Sequence, residues 1–294
     1  MRIFDLYAKP AGPAISFEVF PPKSEEAHQH LLQVLPELVA LRPNFMTVTY
    51  GALGSTRERT LEIASLIQAN FRLPAASHLT CVGSSRADLD RIIDEIYSLG
   101  IRNLVALRGD PPQGESLFQP AQDGLEHANQ LVAHIRRRQR DCGWDPFGIA
   151  VAGYPEKHVE APDFATDLAN LKQKVEAGAD CVITQLFYDN EYYYRFVEAA
   201  RHIGISVPII PGLLPIVSAK QIVRITSMCG SCLPEELRME LEAVGDNNAK
   251  AEEIGIEQCV AQATDLIKNG VAGIHFYVLN RSSQMVRIMN RIQH

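Results

Sequence analysis

The chain has one tryptophan and 7% aromatic residues in 294, and its six cysteines, at 81, 142, 181, 229, 232 and 259, are scattered along its length. That usage excludes the disulfide framework of a small secreted domain, in which dense cysteines stand in for a missing core. Cys229-Gly-Ser-Cys232 is a lone C-x-x-C, and without a second pair of cysteines or histidines at zinc spacing it points to neither a metal nor a redox centre. No apolar run approaches the ~18 residues of a membrane-spanning helix. Met1-Arg2-Ile3-Phe4-Asp5 lacks an apolar signal core, so a cytoplasmic protein is expected. Basic charge is short too: 28 Lys and Arg face 35 Asp and Glu, for a net charge of -7. Such a molecule repels nucleic acid and acidic membranes, and any anionic ligand needs a local basic pocket. The one dense basic run, Arg136-Arg137-Arg138-Gln139-Arg140, closes a helical stretch, where cations suit the dipole, and reads as a solvated face.

Several catalytic signatures are missing as well. The first strand-to-helix turn reads Glu18-Val19-Phe20-Pro21-Pro22-Lys23, without the Gly-x-Gly-x-x-Gly of a dinucleotide fold, and there is no Gly-Lys-Ser/Thr phosphate loop. A serine nucleophile elbow is absent. No lysine ends a predicted strand, which speaks against a Schiff-base aldolase. His158-Val159-Glu160 has too few partners for a metal site.

What is present is alternation. Short apolar or β-branched runs at 15–20, 45–50, 75–79, 103–107, 149–154, 181–185, 207–210 and 273–277 are separated by segments of helical period. These lie at 25–41, 57–70, 85–99, 125–140, 164–177, 190–203, 218–228 and 249–269, with a last helix at 283–292. Gly100, Gly178, Gly204 and Gly270 stand where left-handed helix caps are wanted. Eight strand–helix units with a closing helix predict an α/β chain folded as a (β/α)8 TIM barrel, a single domain over residues 1–294; a doubly wound open sheet is the alternative.

In such a barrel the chemistry sits at the C-terminal ends of the strands. Glu18 ends the first, and alternation turns Ser16, Glu18 and Phe20 inward while Ile15, Phe17 and Val19 face the helices. An inward carboxyl among apolar neighbours is expected to have a raised pKa, suited to a general acid; pairing with a barrel Arg or Lys is the plainer alternative. Thr49, His78, Tyr154 and Gln185 end further strands, and Asn280 and Arg281 follow the last. Leu107-Arg108-Gly109-Asp110-Pro111-Pro112 turns sharply, presenting a cation and an anion around a glycine, either to a ligand or to each other. Asp167, Asn170 and Lys174 share the polar face of one helix, opposite Phe164, Leu168, Leu171 and Val175, and that face is either solvated or turned toward a ligand.

Taken together, these residues resemble the methylenetetrahydrofolate reductase family. The resemblance is carried by Ser16-Phe17-Glu18-Val19-Phe20-Pro21-Pro22, Val48-Thr49-Tyr50-Gly51, His78-Leu79-Thr80-Cys81, Ala106-Leu107-Arg108-Gly109-Asp110, Tyr154-Pro155-Glu156 with His158, Ile183-Thr184-Gln185, Ile210-Pro211-Gly212 and Phe276-Tyr277-Val278-Leu279-Asn280-Arg281, in family order over nearly the whole chain. It implies a barrel holding FAD without a covalent link, reduced by NADH or NADPH and passing hydride to 5,10-methylenetetrahydrofolate to give 5-methyltetrahydrofolate, as a ping-pong reaction of one-carbon metabolism and methionine biosynthesis. It further implies Glu18 as the acid and Asp110 as the electrostatic partner of the pterin. Thr49, His78, Arg108, Gly109, Asp110, His127, Ala128, Tyr154, His158, Asp167, Asn170 and Lys174 become flavin contacts. Gln185, Gln221 and Arg281, with Glu18 and Asp110, become substrate contacts, and the protein is expected to be a homo-oligomer.

Two positions depart from the family pattern. Ile225 stands where a phenylalanine stacks on the nicotinamide dinucleotide, and His127 replaces a tyrosine near the adenosine part of the flavin. The chain ends soon after the barrel, so a regulatory domain and feedback by S-adenosylmethionine are not expected. A flavin-free barrel enzyme and a ligand carrier without turnover are the rival readings.

Overall fold

The computed structural model describes residues 1–7, 12–50, 57–111 and 118–292. Gly51 and Pro112, each part of a motif above, lie outside them. The strands are β1 (Ala14–Val19), β2 (Phe45–Val48), β3 (Ala75–Thr80), β4 (Asn103–Leu107), β5 (Gly148–Gly153), β6 (Cys181–Leu186), β7 (Ile209–Leu213) and β8 (Gly273–Tyr277). All neighbours pair in parallel and in chain order, and β8 pairs with β1 to close the barrel. Around it run α1 (Phe4–Tyr7), α2 (Glu25–Ala40), α3 (Arg57–Phe71), α4 (Arg86–Ser98), α5 (Ala128–Asp141), α6 (Phe164–Glu176), α7 (Asn190–His202), α8 (Ala219–Cys229), α9 (Glu235–Val244), α10 (Asn248–Lys268) and α11 (Ser282–Ile292).

The inside–outside assignment of β1 follows its period of two. Ile15, Phe17 and Val19 pack into the layer between sheet and helices, together with Leu31, Leu35 and Leu38 of α2, which stand one turn apart on a single helix face. Each such side chain contributes about 1.5–3 kcal/mol on burial, which makes this outer layer the main support of the fold. Within the barrel, Ala14, Phe45, Ala76, Val105, Ala150 and Cys181 pack with Ile3, Leu6 and Tyr7, so α1 stoppers the N-terminal end. Asn103 secures the stopper by accepting the Ile3 N–H at 2.8 Å and donating to the Met1 carbonyl at 3.2 Å. Ligands therefore meet the barrel at the other end, where the strands finish.

Helix termini follow the chemistry expected of them. Ser24 caps α2, and Ser85 with Asp88 forms a capping box on α4. Gly100, Gly178, Gly204 and Gly270 all take positive φ.

Four features differ from the expectations above. α1 was not predicted, because one helical turn is too short for periodicity to register. α9 was missed for a related reason: its ten residues bury only Leu237 and Leu241. β7 runs through Pro211 rather than stopping before it, since the β6–β7 register shifts between Ile183 and Leu186, where no ladder N–H is needed from residue 211. The basic run is not simply solvated. Arg136 is half-buried and donates to the Gly178 and Phe147 carbonyls and to Asp180, tying α5 to the loops beside β5 and β6, while Arg138 pairs with Asp94 of α4.

Candidate active site

The strand ends surround a cavity of about 810 Å³, near the top of the usual range for ligand sites. Glu18, Thr49, His78, Arg108, Gly109, Asp110, His127, Ala128, Tyr154, His158, Asp167, Asn170, Lys174 and Gln185 all line it, as does Ile225. Two of the expected substrate contacts do not. Gln221 lies one turn before Ile225 on α8 and is exposed outside the cavity wall, with its backbone N–H on the Ser218 cap. Arg281 is also exposed, beyond a left-handed turn at Leu279 and Asn280 with φ of 49° and 54°. Asn280 locks that turn to β1 by accepting the Phe20 N–H at 3.0 Å and donating to the Phe20 carbonyl at 2.9 Å.

Glu18 lies deep in the mouth, its side chain only 15% exposed. Register puts Thr47 beside it on β2 and Tyr277 on β8. Its Oε2 accepts from Thr47 Oγ1 at 3.0 Å and lies 3.2 Å from His275 Nε2 and 3.1 Å from His78 Nε2. The His78 nitrogen, though close, lacks the alignment of a hydrogen bond and is otherwise unpartnered. Burial pushes the Glu18 pKa up, but the charge of the nearby His78 and the hydrogen bond and charge of His275 together outweigh it, so the carboxyl is held well below the ordinary range. This reverses the expected rise, and the partner is a histidine pair rather than an Arg or Lys.

Arg108, at the end of β4, does not pair with Asp110. Its guanidinium is held by both oxygens of Glu160 at 2.5 and 2.7 Å, which raises its pKa. Asp110 is left exposed on the cavity wall. Gly109 has φ +90, and a Cβ there would lie 2.8 Å from Val82 Cγ1, so only glycine fits this turn. The polar face of α6 is not merely solvated. Asp167 is buried and accepts the His158 N–H at 3.0 Å, while Lys174 donates to the Ala152 carbonyl at 2.6 Å beneath the Tyr154 ring, its pKa pulled down by burial to about 8. Burial likewise lowers His158, whose ring meets Tyr154 edge-on at 4.6 Å.

The sequence reading assigned no site role to Ser16, Thr47, Glu160, His275 or Tyr277; Glu160 and Tyr277 line the cavity, and the other three stand behind its wall around Glu18. His275 and Tyr277 were findable, since the alternation that turns Glu18 inward does the same for them on β8. Glu160 was seen only as a failed metal ligand, and nothing local announces a partner 52 residues away.

A closed parallel barrel with acids, cations and an aromatic ring gathered at its C-terminal mouth is the framework of a small-molecule-transforming barrel protein. Residues 5–293 match the family model described as methylenetetrahydrofolate reductase, and the chain belongs to that family. It is 40% identical over 285 residues to methylenetetrahydrofolate reductase (NADH) 1 of Arabidopsis thaliana, covering 94% of this chain and 48% of the relative. It is 37% identical over 279 residues to 5,10-methylenetetrahydrofolate reductase of Salmonella typhimurium, covering 95% and 90%. The chain thus spans about half the length of the plant relatives it matches. Among solved structures, an uncharacterized protein from Clostridium thermocellum that binds two copies of 5-methyl-5,6,7,8-tetrahydrofolic acid shares the fold, with TM-score 0.64 and 13% identity over 98% of this chain and 96% of that one. Among the described residues, no helix is long and apolar enough to cross a membrane.

Proposed function

We propose that this chain reduces 5,10-methylenetetrahydrofolate to 5-methyltetrahydrofolate with NADH or NADPH and FAD, the nucleotide and the folate using the mouth cavity in turn. The observation that supports this most directly is the meeting of Glu18, Asp110, Arg108, His158 and Lys174 around one cavity in a chain of this family. The donor set suits a flavin dinucleotide. Arg108 and Lys174 offer cations and His158 a ring N–H to a diphosphate, Asp167 and Asn170 suit ribose hydroxyls, and Tyr154 offers an aromatic face. His78 Nε2 is a buried nitrogen still without an aligned partner. When bound, FAD supplies the redox chemistry, taking a hydride from the nicotinamide and giving it to the one-carbon unit.

The residues of this chain handle protons and charge. Opening the methylene bridge to an electrophilic iminium requires a proton on a folate nitrogen, and Glu18 delivers it in this reading. Asp110 sets a negative charge beside the cation that results. Gln185, half-buried at the end of β6, offers an amide to the polar edge of the pterin. The test is direct: purified protein with FAD is yellow, bleaches under NADH or NADPH without oxygen, and recolours when methylenetetrahydrofolate is added. A colourless protein that takes up no FAD would overturn the reading in favour of flavin-free barrel chemistry.

Glu160 bears on cofactor affinity, because an incoming diphosphate competes with it for Arg108. Glu160→Gln is expected to tighten FAD binding by roughly three- to fivefold, the equivalent of a partly exposed ion pair worth up to about 1 kcal/mol. Titration of flavin fluorescence measures it. Weaker binding would show that Glu160 orients Arg108 for the phosphates instead of competing with them.

A further inference from the structure

Inside the barrel, the candidate acid is joined to a second proton-carrying group. Ser16 and Glu18 both point inward from β1, and the β1–β8 register sets Ser16 beside His275. The His275 ring, fully buried, spans the gap between them: its Nδ1 lies 2.8 Å from Ser16 Oγ and its Nε2 lies 3.2 Å from Glu18 Oε2. Ser16 Oγ also reaches the Ile274 carbonyl at 3.4 Å. This arrangement offers one direction for the chain of hydrogen bonds. With the Ser16 hydroxyl donating to the carbonyl, its lone pairs accept from Nδ1–H, and the one mobile proton is left between His275 Nε2 and Glu18 Oε2.

We infer that His275, held by Ser16, is a positioning residue that stores the proton Glu18 delivers to the folate, so that the working acid is the pair and not Glu18 alone. This rests on the function proposed above. In the resting pair the imidazole has N–H on both nitrogens and Glu18 is ionised. In the loaded pair the Nε2 proton has moved to Glu18 and His275 is neutral, with Nδ1–H still on Ser16. Neither state requires a side chain to turn. Thr47, His78 and His275 all meet Oε2, so delivery to a ligand on the open Oε1 side turns the Glu18 carboxyl about its Cγ–Cδ bond and exchanges its two oxygens. When a folate nitrogen takes that proton from Glu18, the pair is left one proton short, with His275 neutral and Glu18 ionised, and regains it from water through the cavity.

The pair explains how a carboxyl that its surroundings hold ionised can still act as an acid. The other groups facing it are His78 from β3, Thr47 from β2 and Tyr277 from β8, whose ring meets His275 edge-on at 5.2 Å. β7 brings only Gly212 to the His275 register position.

The experiment compares wild type, Glu18→Gln, His275→Gln and Ser16→Ala, each loaded with FAD, in rapid-mixing measurements of the two half-reactions from pH 5.5 to 9. His275→Gln keeps an amide donor near Oε2 but cannot surrender its proton. Its reduction by nicotinamide is expected to match wild type. Its reoxidation by methylenetetrahydrofolate should fall about tenfold or more at pH 7.5 and recover on acidification, because Glu18 must then hold the proton by itself. Ser16→Ala, the milder change, should move the same profile in the same direction. A readout without turnover accompanies these: nitrogen-15 spectra of the ring should show N–H on both nitrogens of His275 at neutral pH in wild type and on one in Glu18→Gln. A uniform loss at every pH, or an unmoved profile in both variants, would overturn the inference while leaving the function standing. If Glu18→Gln itself spared the folate step, the fault would lie with the acid assignment; if no variant bleached or recoloured, with the proposed function.

Discussion

Replacing Glu18 with glutamine is expected to slow methylenetetrahydrofolate-driven reoxidation of the protein's flavin by roughly 10²- to 10⁴-fold, the contribution of a positioned general acid, while reduction by NADH or NADPH proceeds nearly unchanged. The asymmetry follows from what each half of the reaction asks of the protein. Hydride leaves a reduced nicotinamide without prior protonation of the donor. Hydride reaches the one-carbon unit only after a folate nitrogen has taken a proton, and Glu18 is the sole carboxyl that β1 places at the mouth of the barrel. Glutamine keeps the length and planarity of the side chain, and Thr47 can still donate to its oxygen, so geometry survives while the proton is lost. Rapid-mixing absorbance under anaerobic conditions reads both halves separately. An equal fall in the two would remove the acid role from Glu18 and make it a generic element of the wall.

Much of this site is legible in the sequence alone, and the reason is geometric. A strand of period two in a closed parallel barrel has only one way to present a terminal side chain, so Glu18, His78 and Gln185 can be sent to one mouth from their positions alone. What local pattern cannot supply is the company each side chain keeps. Glu18 looks like an isolated carboxyl among apolar neighbours, for which burial raises the pKa. His78 from β3 and His275, which the closing of β8 against β1 brings up 257 residues later, together reverse the sign of the shift. Arg108 has an anion two residues away in Asp110, yet its partner is Glu160, because the loop after β5 folds across the mouth. Gln221 and Arg281 fail to reach the cavity for the converse reason. Motif order says that they stand near the right strands, but one turn of α8 and one left-handed turn after β8 decide which way they face.

The same dependence on neighbours makes Gly212 the position where the smallest change should do the most structural damage. A methyl group there would sit 2.2 Å from the Thr184 carbonyl oxygen and 2.8 Å from both Cε2 and the hydroxyl of Tyr277. Neither neighbour can give way cheaply. The Thr184 carbonyl accepts the Tyr277 hydroxyl at 2.7 Å, and Thr184 Oγ1 accepts the Gly212 N–H at 2.9 Å, just where the β6–β7 register shifts. Gly212→Ala must therefore push β6 and β7 apart or expel a half-buried tyrosine. The expected cost is about 3 kcal/mol, the upper end of the range for overpacking, which lowers the melting temperature by on the order of 6 °C or more in a chain of this size. Gly204→Ala is the control: it also adds a methyl, at a φ of +88, but into open space, and should cost only the roughly 1–2 kcal/mol of a left-handed residue. Calorimetry on the two variants separates steric from conformational cost. Because the Tyr277 ring packs on His275, Gly212→Ala should also disturb the proton pair, so that its folate half-reaction suffers even below the melting transition. Equal, small losses in both variants would mean that the β6–β7 seam yields easily, and the rigidity ascribed to this side of the barrel mouth would have to be abandoned.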